Sequence, residues 1–141
     1  MTYLAERLSE IQRYLDHLRS LAPRVQAPEA LEADLSLRND VLFSLLMVAQ
    51  MVVDICGELS TRANLRFGDY TEAVANLRKI GGFPPHVVDL LQRLPGFRNV
   101  VIHEYVGVDN RLVVAAVHQL EPIEEFVQLV ARLEADRADR P

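Results

Sequence analysis

The chain has 141 residues, half of them hydrophobic, with 6% aromatic residues, no Trp and a formal net charge of -5. That length suits one domain with a single core, and an interior rich in Leu, Val and Ala suits helix packing. An acidic chain does not hold nucleic acid through a broad basic face, so any such contact must be local or must come from a groove between subunits.

Leu4, Leu8, Ile11, Leu15 and Leu18 recur at alternating spacings of four and three. This predicts an amphipathic first helix, with Thr2 as its cap. Because Met1 leads into this helix rather than a signal peptide, the expected residence is cytoplasmic. Pro23 and Pro28 bracket the next connection. A second helix is expected from near Glu29 past Leu59. Its centre, Val41 to Cys56, is apolar except for Ser44, Gln50 and Asp54. That run is shorter than the ~20 residues of a membrane span, so no membrane role is expected. A helix apolar on all sides is instead buried on all sides, within a bundle or between subunits. Gln50, Asp54 and Glu58 form one polar stripe along it, facing either solvent or a neighbouring cation. Cys56, the lone cysteine, cannot form an intrachain disulfide and reads as a small buried side chain.

Residues 64–69 read as a turn, and Tyr70 to Ile80 as a short helix stopped by Gly81-Gly82. Pro84 and Pro85 fit the first turn of another helix, which carries Val87, Val88, Leu90, Leu91 and Leu94 and should break at Pro95-Gly96. Gly107 should end the segment that follows, and Asp109 should cap a final helix that Pro122 kinks or splits. The charged tail from Glu134 to Pro141 is expected to fray. No strand alternation, repeat or long linker divides the chain, so residues 1–141 should form one all-α domain, an up-and-down bundle of about five helices.

The segment after the Pro95-Gly96 break reads Arg98-Asn99-Val100-Val101-Ile102-His103-Glu104-Tyr105. Arginine holds phosphate with two parallel hydrogen bonds, and histidine is the side chain suited to moving protons near neutrality. On an ideal helix Arg98 and His103 lie ~140° apart, while Tyr105 lies ~20° from Arg98. Phe97, Val100 and Val101 fall on the core side. One chain could bring both Arg98 and His103 onto one phosphate only by wrapping the long arginine around. Two copies meeting across a two-fold axis would do so more easily, each lending groups to the other. By residue type alone, however, an Arg and a His on a helix are most often a solvated surface pair.

Arg98-Asn99, three residues, then His103-Glu104-Tyr105 resembles the R-N-x-x-x-H-x-Y signature of HEPN-domain toxins of the HepT type. Gly96-Phe97 before it and Val106-Gly107-Val108-Asp109 after it look like that family's flanks, although a proline at position 95 departs from many members. The resemblance covers nearly the whole chain. It implies a HEPN-like homodimer acting as a metal-independent endoribonuclease toxin of a toxin–antitoxin pair. His103 would shuttle the proton when a ribose 2′-oxygen attacks the adjacent phosphate, and Arg98 would neutralise the developing charge. Asn99 would position Arg98 or His103, or touch the phosphate. Independently of the resemblance, the sharper reading of the Gln50, Asp54, Glu58 stripe is that Asp54 faces the Arg98 region and orients the guanidinium. The resemblance also implies an MntA-type nucleotidyltransferase antitoxin that transfers AMP to the motif tyrosine, here Tyr105, beside Arg98. RNA is the implied substrate, with no cofactor.

The other reading is a non-catalytic HEPN-like module that binds partners, which the acidic charge and Pro95 favour and the Arg98, His103, Tyr105 set disfavours. His17, His86, His103 and His118 never fall three or four apart, so no metal site is expected. No Gly-rich phosphate loop and no nucleophile-elbow serine occur.

Overall fold

The structure is a computed structural model and describes residues 2–139. Among the described residues there are nine α-helical segments and two 3-10 turns, with no strand. The all-α expectation holds, but the helices outnumber the expected five because most of the long patterns are cut.

Helix α1 (Tyr3–Leu21) is capped by Thr2, whose side chain accepts from the Ala5 N–H at 3.1 Å. Its seam is buried at Leu4, Ile11, Leu15, Leu18 and Leu21. The expected second helix is two. Helix α2 (Pro28–Ala33) stops at Asp34, which turns extended and caps α3 (Leu35–Arg62) by accepting from the Leu37 N–H at 3.0 Å. An Asp inside an apolar pattern thus ends one helix and starts the next.

Helix α3, 28 residues long, is the centre of the fold: α1, α2, α4, α5, α7 and α8 all pack on it, and α9 closes over α1 and α6. By length and composition it could cross a membrane, contrary to the shorter span read from the sequence. However, 67% of its most apolar window is buried inside the chain, as in a core helix. That burial is not all-round. Phe43 is 51% exposed, and Leu46, Met47, Gln50 and Asp54 are only half-buried. These positions share one stripe at helical spacing.

The Tyr70–Ile80 pattern is likewise divided, into α4 (Tyr70–Ala75) and α5 (Leu77–Ile80), at the buried Asn76. The Asn76 amide donates to Ser60 Oγ at 3.1 Å and to the Arg66 carbonyl at 3.2 Å, tying this corner to α3. Gly81 and Gly82 stop α5 with φ of 84° and 85°, a backbone that favours glycine.

Two prolines act one turn upstream of themselves. Helix α6 (Pro85–Leu91) ends before Pro95 rather than at it, and Pro95 sits in the first turn of α7 (Leu94–His103). Helix α8 (Asn110–Val117) ends before Pro122, which opens α9 (Glu121–Ala138). Proline has no N–H for the carbonyl four residues back, at Leu91 and at His118, so the break falls there. Pro95 therefore starts the motif helix and does not distort it.

The tail does not fray at Glu134. Helix α9 runs on to Ala138, and Glu134 pairs with Arg62 and accepts from the Thr2 hydroxyl at 3.3 Å. Positions 140 and 141 of the expected tail lie outside the described residues.

One continuous apolar core runs from Leu4 to Val130. Phe126 is fully buried, with its ring 5.7 Å from that of Phe83. Phe126→Ala should cost about 3–5 kcal/mol of stability, read as a lower urea midpoint at unchanged slope; an unchanged midpoint would contradict this packing. Cys56 is buried too, and burial pushes its thiol far above the ordinary value, leaving no reactive thiolate at neutral pH.

Candidate active site

Helix α7 buries only Pro95 and Val101 fully. Val100, expected on the core side, is 43% exposed, so that side is narrower than expected; Ile102 is 47% exposed. The helix packs on α3 and brings Arg98 against the polar stripe of the central helix.

Arg98 is half-buried and held by neutral groups. Its Nε donates to Gln50 Oε1, and its Nη1 donates to Asn99 Oδ1 at 3.1 Å. Its guanidinium carbon lies 5.3 Å from the centre of the Tyr70 ring, within cation–π range. Among the described residues no carboxylate forms a salt bridge with it. The guanidinium is therefore fixed in place while its charge is left unmatched.

Gln50 is the link that sequence reasoning assigned to Asp54. The Gln50 amide donates to Asp54 Oδ1 at 2.9 Å and, at 3.5 Å, to the Tyr70 hydroxyl. Asp54 instead faces Arg7, at 3.8 Å. It fixes which way the Gln50 amide points, so that the oxygen faces Arg98, and it acts on Arg98 only through Gln50. The spacing of Gln50 and Asp54 was legible, but which of the two reaches Arg98 depends on the α3–α7 packing.

His103 is the last residue of α7 and is exposed. The other three histidines have partners: His17 with Asp40 at 2.8 Å, His86 with Glu125 at 2.7 Å, and His118 with the Val25 carbonyl at 2.7 Å. His103 makes no side-chain hydrogen bond among the described residues. No hydrogen bond joins it to Arg98 either.

Tyr105 departs from its expected place. Helix α7 ends at His103, Glu104 leaves helical backbone with φ -134° and ψ 39°, and Tyr105–Gly107 forms a 3-10 turn. Tyr105 therefore does not flank Arg98. Its hydroxyl donates to Asn39 Oδ1 at 2.6 Å, and the Arg38 guanidinium lies 5.3 Å from its ring centre. Arg38 also donates to the carbonyls of Tyr105 at 3.1 Å and Val108 at 3.4 Å, and to Asn110 Oδ1 at 3.0 Å. These bonds satisfy carbonyls that a continuing helix would have used, which is why the chain turns here. Arg38 and Asn39 escaped the sequence reading. Their only signal was a polar pair at the start of an apolar helix.

An open cleft of about 550 Å³ adjoins the Arg98 cluster, between the loop before α4 and the first turns of α7. Phe67, Asp69, Tyr70, Pro95 and Asn99 line it. Among the described residues no group of three or more His, Cys, Asp or Glu converges as a metal site would require.

Helix α7 thus carries an arginine positioned by Gln50 and Asn99 and, among the described residues, a histidine with no side-chain hydrogen bond. The HepT-like family model, described as ribonuclease HepT-like, matches residues 11–130, and the chain belongs to that family. A protein of Archaeoglobus fulgidus named "Putative RNase" is 25% identical over 121 residues, covering 84% of this chain and 91% of that protein. Among solved structures, a chain from the complex of tri-AMPylated Shewanella oneidensis HEPN toxin with MNT antitoxin superposes with TM-score 0.81 at 19% identity. That match covers 94% of this chain and 99% of the other. A chain from a toxin–antitoxin MntA–HpeT complex carrying a Tyr-to-Ala substitution gives TM-score 0.79 at 19% identity, over 93% of this chain and 99% of the other. At such identities these structures establish the likeness of fold.

Proposed function

We propose that this protein is a metal-independent endoribonuclease, the toxin of a toxin–antitoxin pair, working as a homodimer. The observation that carries the reading is the state of two side chains. Arg98 is positioned by neutral amides and, among the described residues, forms no salt bridge, while His103 makes no side-chain hydrogen bond there, unlike His17, His86 and His118.

In the proposed reaction the ribose 2′-oxygen attacks the adjacent phosphorus and the bond to the 5′-oxygen breaks. His103 moves the proton between these oxygens, and Arg98 stabilises the charge on the non-bridging oxygens. Asn99 steadies Arg98. The products are a 2′,3′-cyclic phosphate and a 5′-hydroxyl. Such ends, formed in the presence of EDTA, are the expected result on single-stranded RNA. Loss of cleavage on chelation would contradict the mechanism.

Two chains are proposed because Arg98 and His103 are not joined within one. The exposed apolar residues Phe43, Val100, Ile102 and Val106 lie on α3, on α7 and on the turn after it. They would bury against a second copy and bring its His103 toward Arg98. The groove so formed supplies local positive charge to a chain that is acidic overall.

Gln50 tests the positioning of Arg98. Gln50→Leu removes a hydrogen bond to a charged group, worth about 1.5–3 kcal/mol, so cleavage should fall roughly 10- to 100-fold by the usual conversion. Gln50→Glu keeps an acceptor but adds the missing counter-charge, and should be no better. Full activity in Gln50→Glu would show that the unmatched charge is irrelevant.

Neutralisation is proposed to follow AMP transfer to Tyr105 by an MntA-type nucleotidyltransferase. The phenolic oxygen attacks the α-phosphorus of ATP and pyrophosphate leaves. The new phosphate would then lie near Arg38 and not Arg98, because Tyr105 docks on the start of α3. Inhibition would come from the bulk and charge of AMP two residues from His103.

A further inference from the structure

The cleft beside Arg98 has a lining that RNA hydrolysis at Arg98 and His103 leaves unexplained. We infer that it is a nucleobase subsite, which takes one unstacked base of single-stranded RNA next to the phosphate held by Arg98. The inference rests on the ribonuclease reading.

Three features converge. The first is the aromatic wall. The Phe67 ring lies over Gly57 of α3, where a Cβ would come within 3.2 Å of it, and Phe67 remains 36% exposed. Tyr70 lines the same cleft and also faces the Arg98 guanidinium, so base and phosphate sites share one side chain. Bases of single-stranded RNA are characteristically held by stacking on aromatic rings.

The second feature is charge. Among the described residues no lysine or arginine lines the cleft, and Asp69 does. Phosphate is repelled there and drawn to Arg98, while a neutral base is accepted. One Asp69 oxygen caps α4 by accepting from the Glu72 N–H at 2.8 Å. The other, which has no hydrogen bond among the described residues, would accept from an exocyclic amino group. The third feature is continuity. Asn99 lines the cleft and also accepts from Arg98, so a strand whose phosphate reaches Arg98 passes directly over the opening.

The test is binding of a short 2′-O-methyl oligoribonucleotide, which cannot form the cyclic phosphate, by fluorescence anisotropy. Phe67→Leu keeps apolar cover over Gly57 without a ring, and Phe67→Tyr keeps the ring. Thermal melts of both variants check folding. Phe67→Leu should weaken binding about 10-fold, within the range of one lost base stack, and Phe67→Tyr should bind as the parent does. An oligonucleotide with one abasic position at the recognised site should bind parent and Phe67→Leu alike. Equal binding of the full oligonucleotide by parent and Phe67→Leu, with Arg98→Ala weakened, would overturn the base subsite and leave the ribonuclease reading standing. If neither Phe67→Leu nor Arg98→Ala altered binding and the parent cut no RNA, both would fall.

Discussion

Replacing His103 by Ala is expected to lower RNA cleavage about 10²- to 10⁴-fold, the usual contribution of a positioned proton carrier. Arg98→Ala should cost about 10²- to 10³-fold, as loss of a fixed donor to developing negative charge does. Neither should unfold the protein. His103 is exposed and has no partner to lose among the described residues. Arg98 gives up its bonds to Gln50 and Asn99, about 1.5–3 kcal/mol for a bond to a charged group, and opens no core cavity. Arg98→Lys retains the charge but not the planar fork that bonds Gln50 and phosphate together, so it should recover only part of the activity. Cleavage on defined RNA, with circular dichroism melts alongside, checks this. Unchanged cleavage by a well-folded His103→Ala would remove histidine from the reaction.

The sequence carried the α7 motif, the α1 seam and the central helix, because each rests on local spacing. Thr2, Asp109 and the Gly81-Gly82 stop were readable for the same reason. What it did not carry depends on tertiary partners. Asp34 and Asn76 cut helices because one caps α3 and the other bonds Ser60 and Arg66. Helical geometry extended through Tyr105 put that residue beside Arg98. Arg38, far away in sequence, instead gathers the carbonyls of Tyr105 and Val108 and turns the chain away. Likewise Gln50 and Asp54 were visible as a stripe, but only the packing of α7 on α3 selects Gln50 as the residue that meets Arg98. Phe67 and Tyr70 gave no signal, since aromatic residues near a turn are ordinary until a cleft opens beside them.

The second large effect concerns Tyr105. With a cognate nucleotidyltransferase and ATP, the parent should gain the mass of one or more AMP units and lose cleavage, whereas Tyr105→Phe should gain none and stay active. The variant removes only the hydroxyl that donates to exposed Asn39, a change of about 0.5–1.5 kcal/mol, and leaves the ring beside Arg38. Full cleavage by Tyr105→Phe would also separate a regulatory tyrosine from a catalytic one. AMP still added to Tyr105→Phe would take this residue out of the regulation.

The most direct test of a centre shared between two copies is complementation. Arg98→Ala and His103→Ala, each inactive alone, are co-expressed with different tags and the mixed dimer is isolated. If Arg98 of one copy works with His103 of the other, each mixed dimer contains one intact centre and one doubly damaged centre. It should then cut RNA at about half the parent rate, leaving 2′,3′-cyclic phosphate ends in the presence of EDTA. A mixed dimer as inactive as either single variant would contradict the shared centre.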